Sequence, residues 1–289
     1  MNVREKHDPV LLQVVVEHLR WDFEHALVAD LTVGGGGHLE ALLAASKDPQ
    51  KVWAFDQDSG TLQRTQTRMN NYPAIEWVNA NFEEAPMIIA QPIDRILVDL
   101  GVSSFQLDNP SRGFSFRVEG PLDMRMDTRQ KWAASDWLKE AREEELSKVF
   151  WEYGEDRQAR LWARRLVTER KKRELRTTKD LVEILGFKLD SKDRTGRHPL
   201  TRVFQAVRMY VNRELEVLEQ LLQALPGMLR PGARVGIITF HSLEDRLVKW
   251  SLRETLRPIN KKVIVASEEE IRMNPRSRSA KLRVFEKQS

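Results

Sequence analysis

The sequence predicts a protein of the α/β class, with a doubly wound, mostly parallel sheet and an inserted all-helical domain. Three observations predict this fold class. Short apolar segments alternate with helical patterns over the first hundred residues, a run of glycines follows the first predicted strand, and only helical patterns occur between residues 106 and 199. Alternating strands and helices form right-handed βαβ units, and helices then cover both faces of a parallel sheet.

The predicted strands of the first hundred residues are short and apolar, which is typical of strands buried on both faces, and they cover residues 26–30, 52–56, 75–78 and 93–99. The predicted helices carry apolar residues at helical spacing and cover residues 10–19, 39–45 and 61–69. One helix therefore precedes the first strand, and others connect successive strands, as the βαβ arrangement requires.

Strand patterning then stops. The strong patterns that follow are helical, at residues 132–141, 144–153, 155–173 and 179–185, and Thr178 is the predicted N-cap of the last of these. One long helix carrying Val203 to Leu222 on its apolar face leads to a further strand at residues 233–240. We therefore expect a main domain of residues 1–105 and 200–289, interrupted by a helical substrate-recognition domain of residues 106–199.

The amino-acid composition limits the cellular compartment and the kinds of site expected of the protein. The 289 residues carry a net charge of +4 and no cysteine, which excludes disulfides, thiolate metal sites and cysteine nucleophiles. The first residues lack the apolar core of a signal peptide, and no apolar run approaches the roughly 20 residues that span a bilayer. The six histidines lack the spacing of a zinc-binding helix, so we expect no metal. These features predict a cytoplasmic protein without a membrane partner.

Basic residues are clustered. Between Arg157 and Arg176 nine lysines and arginines stand against two acids, and the C-terminal segment contains a second cluster around Arg276 and Arg278. A solvated helix face explains either cluster alone. Two clusters in one chain favour a polyanionic partner.

The predicted strands end in features typical of a nucleotide site. Asp30, Asp56 and Asp99 each end a strand, and ligands of open parallel sheets bind beyond the carboxyl ends of the strands. Residues 34–37 are four glycines between a strand and a helix, where backbone can approach a ligand closely. Leu39 stands where a dinucleotide fingerprint has its third glycine, which counts against NAD. These features predict an adenosine-containing ligand, either a methyl donor or a dinucleotide.

Longer motifs are more specific. They are DLGVSSFQLD at residues 99–108, RGFSF at 112–116, GPLDMRMD at 120–127, TRVFQAVR at 201–208 and FHSLEDR at 240–246. In content, order and spacing they closely resemble the bacterial 16S ribosomal RNA (cytosine-N4)-methyltransferase family, and the resemblance covers nearly the whole chain. Leu31 and Ala266 depart from the family pattern, where glycine and proline are usual.

The resemblance implies a Rossmann-like class I methyltransferase that transfers a methyl group from S-adenosylmethionine to the exocyclic N4 of a cytidine in 16S rRNA, in the decoding region of the small ribosomal subunit. By motif match, the residues implied to contact the donor are Gly36, Gly37, His38, Asp56, Phe82, Asp99 and Gln106. The resemblance also implies that the polyanionic partner is RNA. The expected RNA contacts are Arg164, Arg165, Lys171, Lys172, Arg276 and Arg278.

The exocyclic amine is a weak nucleophile because its lone pair is delocalised into the ring, so an acceptor beside it would favour attack. The catalytic candidates for that role are the side chains of Asp99, Ser103, Ser104 and Asp123, and backbone carbonyls are the alternative acceptors. For each side chain, a loop or helix-capping bond is the structural alternative. His241 is a candidate substrate contact, and Ser242 with Asp245 is the predicted capping pair beside it.

Three other functions compete with this reading. They are an NAD(P)-linked oxidoreductase on the same fold, a non-catalytic RNA-binding assembly factor, and a methyltransferase acting on another RNA or on DNA. The sequence also leaves the oligomeric state open, with a homodimer among the alternatives.

Overall fold

The structure is a computed structural model that describes residues 9–72, 74–192 and 198–288 apart from the side chain of Ser104. The chain divides into two compact units, residues 1–101 with 215–289 and residues 102–214. None of the helices in the described ranges has the length and apolar character needed to cross a membrane.

The first unit begins with alternating helices and strands. The helices are α1 (Leu12–Leu19), α2 (Gly37–Ala44), α3 (Ser59–Arg68) and α4 (Ala85–Ile88). The strands are β1 (Leu27–Asp30), β2 (Lys51–Phe55), β3 (Ile75–Val78) and β4 (Ile93–Asp99). Where an element was predicted, these bounds agree with the prediction to within two residues; α4 was not predicted. Helix α2 begins at Gly37, two residues before the predicted start at Leu39, because the glycine turn itself opens the helix.

The regular secondary structure in the described residues of the second unit is helical, apart from one isolated bridge between Pro121 and Thr177. Its helices are α5 (Ser104–Asp108), α6 (Ala134–Glu140), α7 (Glu143–Glu152), α8 (Ala159–Glu169), α9 (Thr178–Ile184) and α10 (Thr201–Val211). The unit extends to residue 214, beyond the expected boundary at 199, because α10 packs against α6 and α7.

Two predicted features of this region are wrong. The N-cap of α9 is Thr177, whose hydroxyl accepts a hydrogen bond from the Asp180 amide at 3.1 Å, and Thr178 is the first helical residue. The long helix through residues 203–222 is interrupted at Asn212 and Arg213, because Arg213 has a positive φ of 52°. The buried Asn212 side chain binds the Met126 amide and the Met124 carbonyl, which holds the break in place.

After the break the chain returns to the first unit through α11 (Glu214–Met228), β5 (Leu229–Thr239), α12 (Ser242–Leu252), the short strands β6 (Arg257–Pro258) and β7 (Ile264–Val265), α13 (Glu268–Met273) and β8 (Lys281–Glu286). The sequence reading did not identify β6, β7 or β8. In β8, Lys281 and Arg283 interrupt the apolar residues, and both bind Asp245.

The sheet has the strand order β3-β2-β1-β4-β5-β8-β6, and β7 also pairs with β8. Strands β1 to β5 are parallel, while β8 runs antiparallel to β5. The chain moves outward from β1 through β2 to β3 and then crosses back to β4, so the strand order reverses between β1 and β4. This arrangement confirms the predicted doubly wound, mostly parallel sheet and places the ligand crevice at the carboxyl ends of β1 and β4.

Side chains that alternate along the strands form two cores, one on each face of this sheet. In β1, Leu27 and Ala29 belong to the core under α11 and α12, whereas Val28 belongs to the core under α1 and α2. The second unit has a separate core formed by its own helices. Because both faces of the sheet are covered, the open place left for a ligand is the edge where the parallel strands end.

Candidate active site

The glycine turn lies at the carboxyl end of β1. Gly36 has a φ of 76°, and a Cβ there would lie 2.6 Å from the Met69 sulfur and 2.8 Å from a Thr65 methyl carbon, so both backbone strain and packing require glycine. Gly36 is also the N-cap of α2 and has no side chain to bind the amides of the first turn. Those amides carry the positive end of the helix dipole and form a site for an anionic group.

Asp56 follows β2 and supports the turn. One carboxylate oxygen accepts a hydrogen bond from the Gly34 amide at 3.0 Å, and the other accepts one from the Asp58 amide at 2.8 Å. Each carboxylate oxygen has a second lone pair, so the same side chain can still accept hydrogen bonds from ribose hydroxyls. Asp56 therefore both orders the turn and suits the role expected of it.

Phe82 begins a short 3-10 helix that follows β3. The Asn81 side chain caps this helix. The phenylalanine ring is largely buried and belongs to the core under α11 and α12. Its main contacts are thus core contacts.

Asp99 ends β4 and meets His38 from α2. Its Oδ2 lies 3.6 Å from His38 Nδ1, while Oδ1 is buried without a hydrogen-bond partner among the described residues. The other ring nitrogen of His38, Nε2, lies 2.8 Å from the Val10 carbonyl. Burial raises the pKa of Asp99 well above its usual value, helped by the negative charges of Asp30 and Glu244, and burial lowers the pKa of His38 to about 4.

Asp30 completes a group of three strand-end carboxylates. It is 2% exposed, and its Oδ1 accepts a hydrogen bond from the Thr32 amide at 3.1 Å. Burial raises the pKa of Asp30 to about 7; the Thr32 bond opposes this rise and the charge of Asp56 adds to it. The structure therefore brings Asp30, Asp56 and Asp99 within electrostatic reach of one another. Perturbed acids in one crevice are typical of functional sites.

Glu244 is a residue of this region that the sequence reading missed. It lies in the first turn of α12, is buried, and accepts a hydrogen bond from the Phe240 amide at 2.8 Å. His241, not Ser242, is the N-cap of α12, with its Nδ1 accepting from the Glu244 amide. The predicted pair of Ser242 and Asp245 is therefore wrong, because Asp245 instead binds Arg283 at 2.7 Å.

The remaining catalytic and donor candidates lie in the second unit. Ser103 and Gln106 cap helix α5 reciprocally, each side chain bonding the backbone amide of the other. Asp123 forms a two-bond ion pair with Arg125, both bonds 2.8 Å long. Burial would raise the pKa of Asp123, but the bonds to Arg125 outweigh it and hold that pKa below the usual range. Asp123 is thus a weak proton acceptor, and the side chain of Ser104 lies outside the described residues.

The six expected RNA contacts are all exposed. Arg165 is partly engaged, because its Nε donates to the Ile184 carbonyl at the end of α9. Lys172 forms a 3.0 Å ion pair with Glu169. Beside the end of α8, an open cavity of about 450 Å³ is lined mainly by cations, among them Lys171, Lys172, Arg173 and Arg176. The basic cluster therefore forms a mainly positive surface beside the end of α8.

A parallel sheet whose order reverses at a glycine turn, with strand-end acids in the crevice, is the architecture of Rossmann-like class I methyltransferases. The model of the MraW methylase family matches residues 4–288. The chain therefore belongs to the MraW methylase family, which confirms the family resemblance of its motifs.

Relatives agree over most of their length. The ribosomal RNA small subunit methyltransferase H of Nostoc is 47% identical, over 90% of this chain and 86% of the relative. The protein of the same name from Halothermothrix orenii is 38% identical, over 98% of both chains. Among solved structures, an rRNA methylase from Streptococcus thermophilus matches with a TM-score of 0.45 and 12% identity, covering 96% of this chain and 94% of that one.

Replacement of Gly36 by alanine should destabilise the first unit more than the same change at Gly232. Both glycines have a φ near 76°, so both variants incur strain of about 1–2 kcal/mol, but no atom lies within 4 Å of a Cβ at Gly232. At Gly36 the added methyl overlaps Met69 and Thr65, which adds about 1–3 kcal/mol. Urea unfolding of the two variants measures the difference, and equal losses would show that packing does not restrict the turn.

Asp30→Asn should change how stability depends on pH. Unfolded Asp30 ionises near 3.8 but the folded carboxyl keeps its proton until about 7, so its contribution to stability is full below 3.8 and is lost as the pH rises through 7. Asparagine keeps an acceptor for Thr32 and does not titrate. Between pH 5 and 8 the variant should therefore gain about 2–3 kcal/mol relative to the unsubstituted protein, measured by urea unfolding at both pH values. A difference that is the same at both pH values would contradict the assignment.

Proposed function

We propose that this protein transfers a methyl group from S-adenosylmethionine to the exocyclic N4 of a cytidine in 16S rRNA, in the decoding region of the small ribosomal subunit, and that it acts in the cytoplasm. Membership of the MraW methylase family and relatives named as small-subunit rRNA methyltransferases support the substrate class. The main structural support for the proposed reaction is Asp99 Oδ1. This atom is buried, has no hydrogen-bond partner among the described residues, and lies where the strand order reverses.

The residues around the glycine turn fit the donor. The uncapped amides at the start of α2, from Gly37 and His38 onward, suit its carboxylate, and Asp56 suits the ribose hydroxyls. Phe82 supplies an apolar edge for the adenine. When bound, S-adenosylmethionine supplies an electrophilic methyl group on a positively charged sulfur, and the carboxyl groups of Asp30, Asp56 and Asp99 present oxygen atoms that suit that charge.

Asp99 is the proposed acceptor for the amine. A hydrogen bond from N4–H to Oδ1 would orient the amine and shift electron density toward its nitrogen, and the same oxygen can take the proton that the amine must lose. A raised pKa brings the carboxyl nearer to working pH, where a proton acceptor is most effective. Asp123, held as an anion by Arg125, suits a structural role better than this one.

The RNA must present a single base. A cytosine stacked in a helix cannot reach a methyl group at a sheet edge, so the target is single-stranded or flipped out. We assign the surrounding phosphates to the exposed cations Arg164, Lys171, Lys172, Arg276 and Arg278, and to Arg165 as far as its bond to Ile184 allows. Phosphate contacts of this kind fix register and make binding depend strongly on salt.

The test is methyl transfer from labelled S-adenosylmethionine to small ribosomal subunits and to their stripped RNA, with the labelled nucleoside identified by mass spectrometry. We expect N4-methylcytidine. Asp99→Asn should lower the transfer rate by about 10²-fold or more, the usual contribution of a positioned proton acceptor. Asp48→Asn, which neutralises an exposed carboxylate, is the matched control and should leave the rate unchanged.

Other outcomes separate the alternatives. Donor binding without transfer to either RNA would favour a non-catalytic RNA-binding factor. Label in a nucleoside other than N4-methylcytidine, or transfer to DNA instead, would retain the methyltransferase and overturn the proposed acceptor.

A further inference from the structure

His38 has a defined tautomer, and the Val10 carbonyl defines it. A carbonyl oxygen can only accept, so the 2.8 Å contact with His38 Nε2 requires the ring proton to be on Nε2. In the neutral ring Nδ1 is then an unprotonated acceptor. Burial favours the neutral ring, in line with the lowered pKa of His38.

The segment that presents this carbonyl is itself held in place. Leu11 has a φ of 54°, and its amide donates to Glu270 of α13 at 2.6 Å. The Pro9 ring lies so close to Gly37 that a Cβ at this glycine would overlap it. Val10 and Leu11 are both buried. The Val10 carbonyl is therefore a built part of the site, anchored from two sides.

Asp99 faces the open nitrogen of this ring. Its Oδ2 lies 3.6 Å from His38 Nδ1, so a carboxylate would place two acceptors opposite each other. Among the described residues, the other charged groups that act on Asp99 are Asp30 on β1 and Glu244 on α12, and both are acidic. A proton on Oδ2 that points at Nδ1 relieves this repulsion and leaves Oδ1 as an acceptor.

We propose that His38 is a positioning residue that keeps the proton of Asp99 on Oδ2, so that Oδ1 is presented to the amine of the substrate. This inference rests on the proposed function for the identity of the amine. When N4 is methylated it loses one proton, which passes to Oδ1 while the Oδ2 proton crosses to Nδ1. The carboxyl stays neutral, and the imidazole carries the charge until it releases the proton to water.

Two variants of His38 separate this role from packing. In His38→Gln the side-chain amide can still donate to the Val10 carbonyl, but the acceptor facing Asp99 is lost. In His38→Asn the side-chain oxygen occupies the place of Nδ1, but the bond to Val10 is lost. The proposal predicts that the glutamine variant transfers methyl groups about tenfold or more slowly, with a changed pH profile of kcat, and that the asparagine variant keeps more of the rate.

Two NMR measurements on the whole protein without substrate test the same proposal independently of catalysis. The ¹⁵N shifts of His38 should show a protonated Nε2 and an unprotonated Nδ1. A ¹³C titration of the Asp99 carboxyl should give a lower pKa in His38→Gln than in the unsubstituted protein, with His38→Asn between them.

A protonated Nδ1, or an Asp99 pKa that is unchanged by His38→Gln, would overturn the inference. If the unsubstituted protein shows no rRNA methyltransferase activity, the proposed function is overturned instead. The NMR result would still decide the pairing of His38 with Asp99. If His38→Gln does not fold, the ¹⁵N shifts of His38 in the unsubstituted protein still decide the inference, because a protonated Nδ1 would overturn it.

Discussion

Strands β1 and β4 are neighbours in the sheet although two other strands separate them along the chain. The chain leaves β1 toward one side of the sheet and returns to start β4 toward the other, so no connection covers the space above their carboxyl ends. The glycine turn, Asp30 and Asp99 all lie at these two strand ends. The position of the donor pocket, the acidity of its walls and the direction in which Asp99 faces all follow from this one crossover.

The same crossover concentrates negative groups that burial would normally exclude. Asp30 and Asp99 are raised in pKa chiefly by burial, and each is raised further by a neighbouring acid. Such a cluster destabilises the protein when it is ionised, which is characteristic of sites shaped for function rather than stability. A positively charged donor, together with a proton shared between Asp99 and His38, would offset that cost while the substrate is bound.

The alternation of strands and helices in the first hundred residues was predictable because buried parallel strands are continuous apolar runs and the helices between them are amphipathic. Asp56, Asp99 and the glycine turn followed from the same reasoning, since strand ends in such a sheet share one edge.

Other features depend on contacts between residues distant in sequence. In the sequence, Lys281 and Arg283 give β8 the pattern of a solvated basic segment. In the structure both side chains bind Asp245, which the sequence places far away. The break at Arg213 depends on Asn212 binding backbone groups more than eighty residues away. Glu244 comes close to Asp99, and Val10 to His38, only in the folded chain, so the sequence alone could not predict these contacts either.

The central claim is that Asp99 Oδ1 receives the amine of a cytosine. The most direct measurement is a crystal structure of the protein with S-adenosylhomocysteine and a cytidine-containing RNA fragment. The account predicts the cytosine N4 within hydrogen-bond distance of Asp99 Oδ1, about 3 Å, with Oδ2 toward His38 Nδ1. A cytosine whose N4 is bound by other groups, with Asp99 turned away from the base, would contradict it.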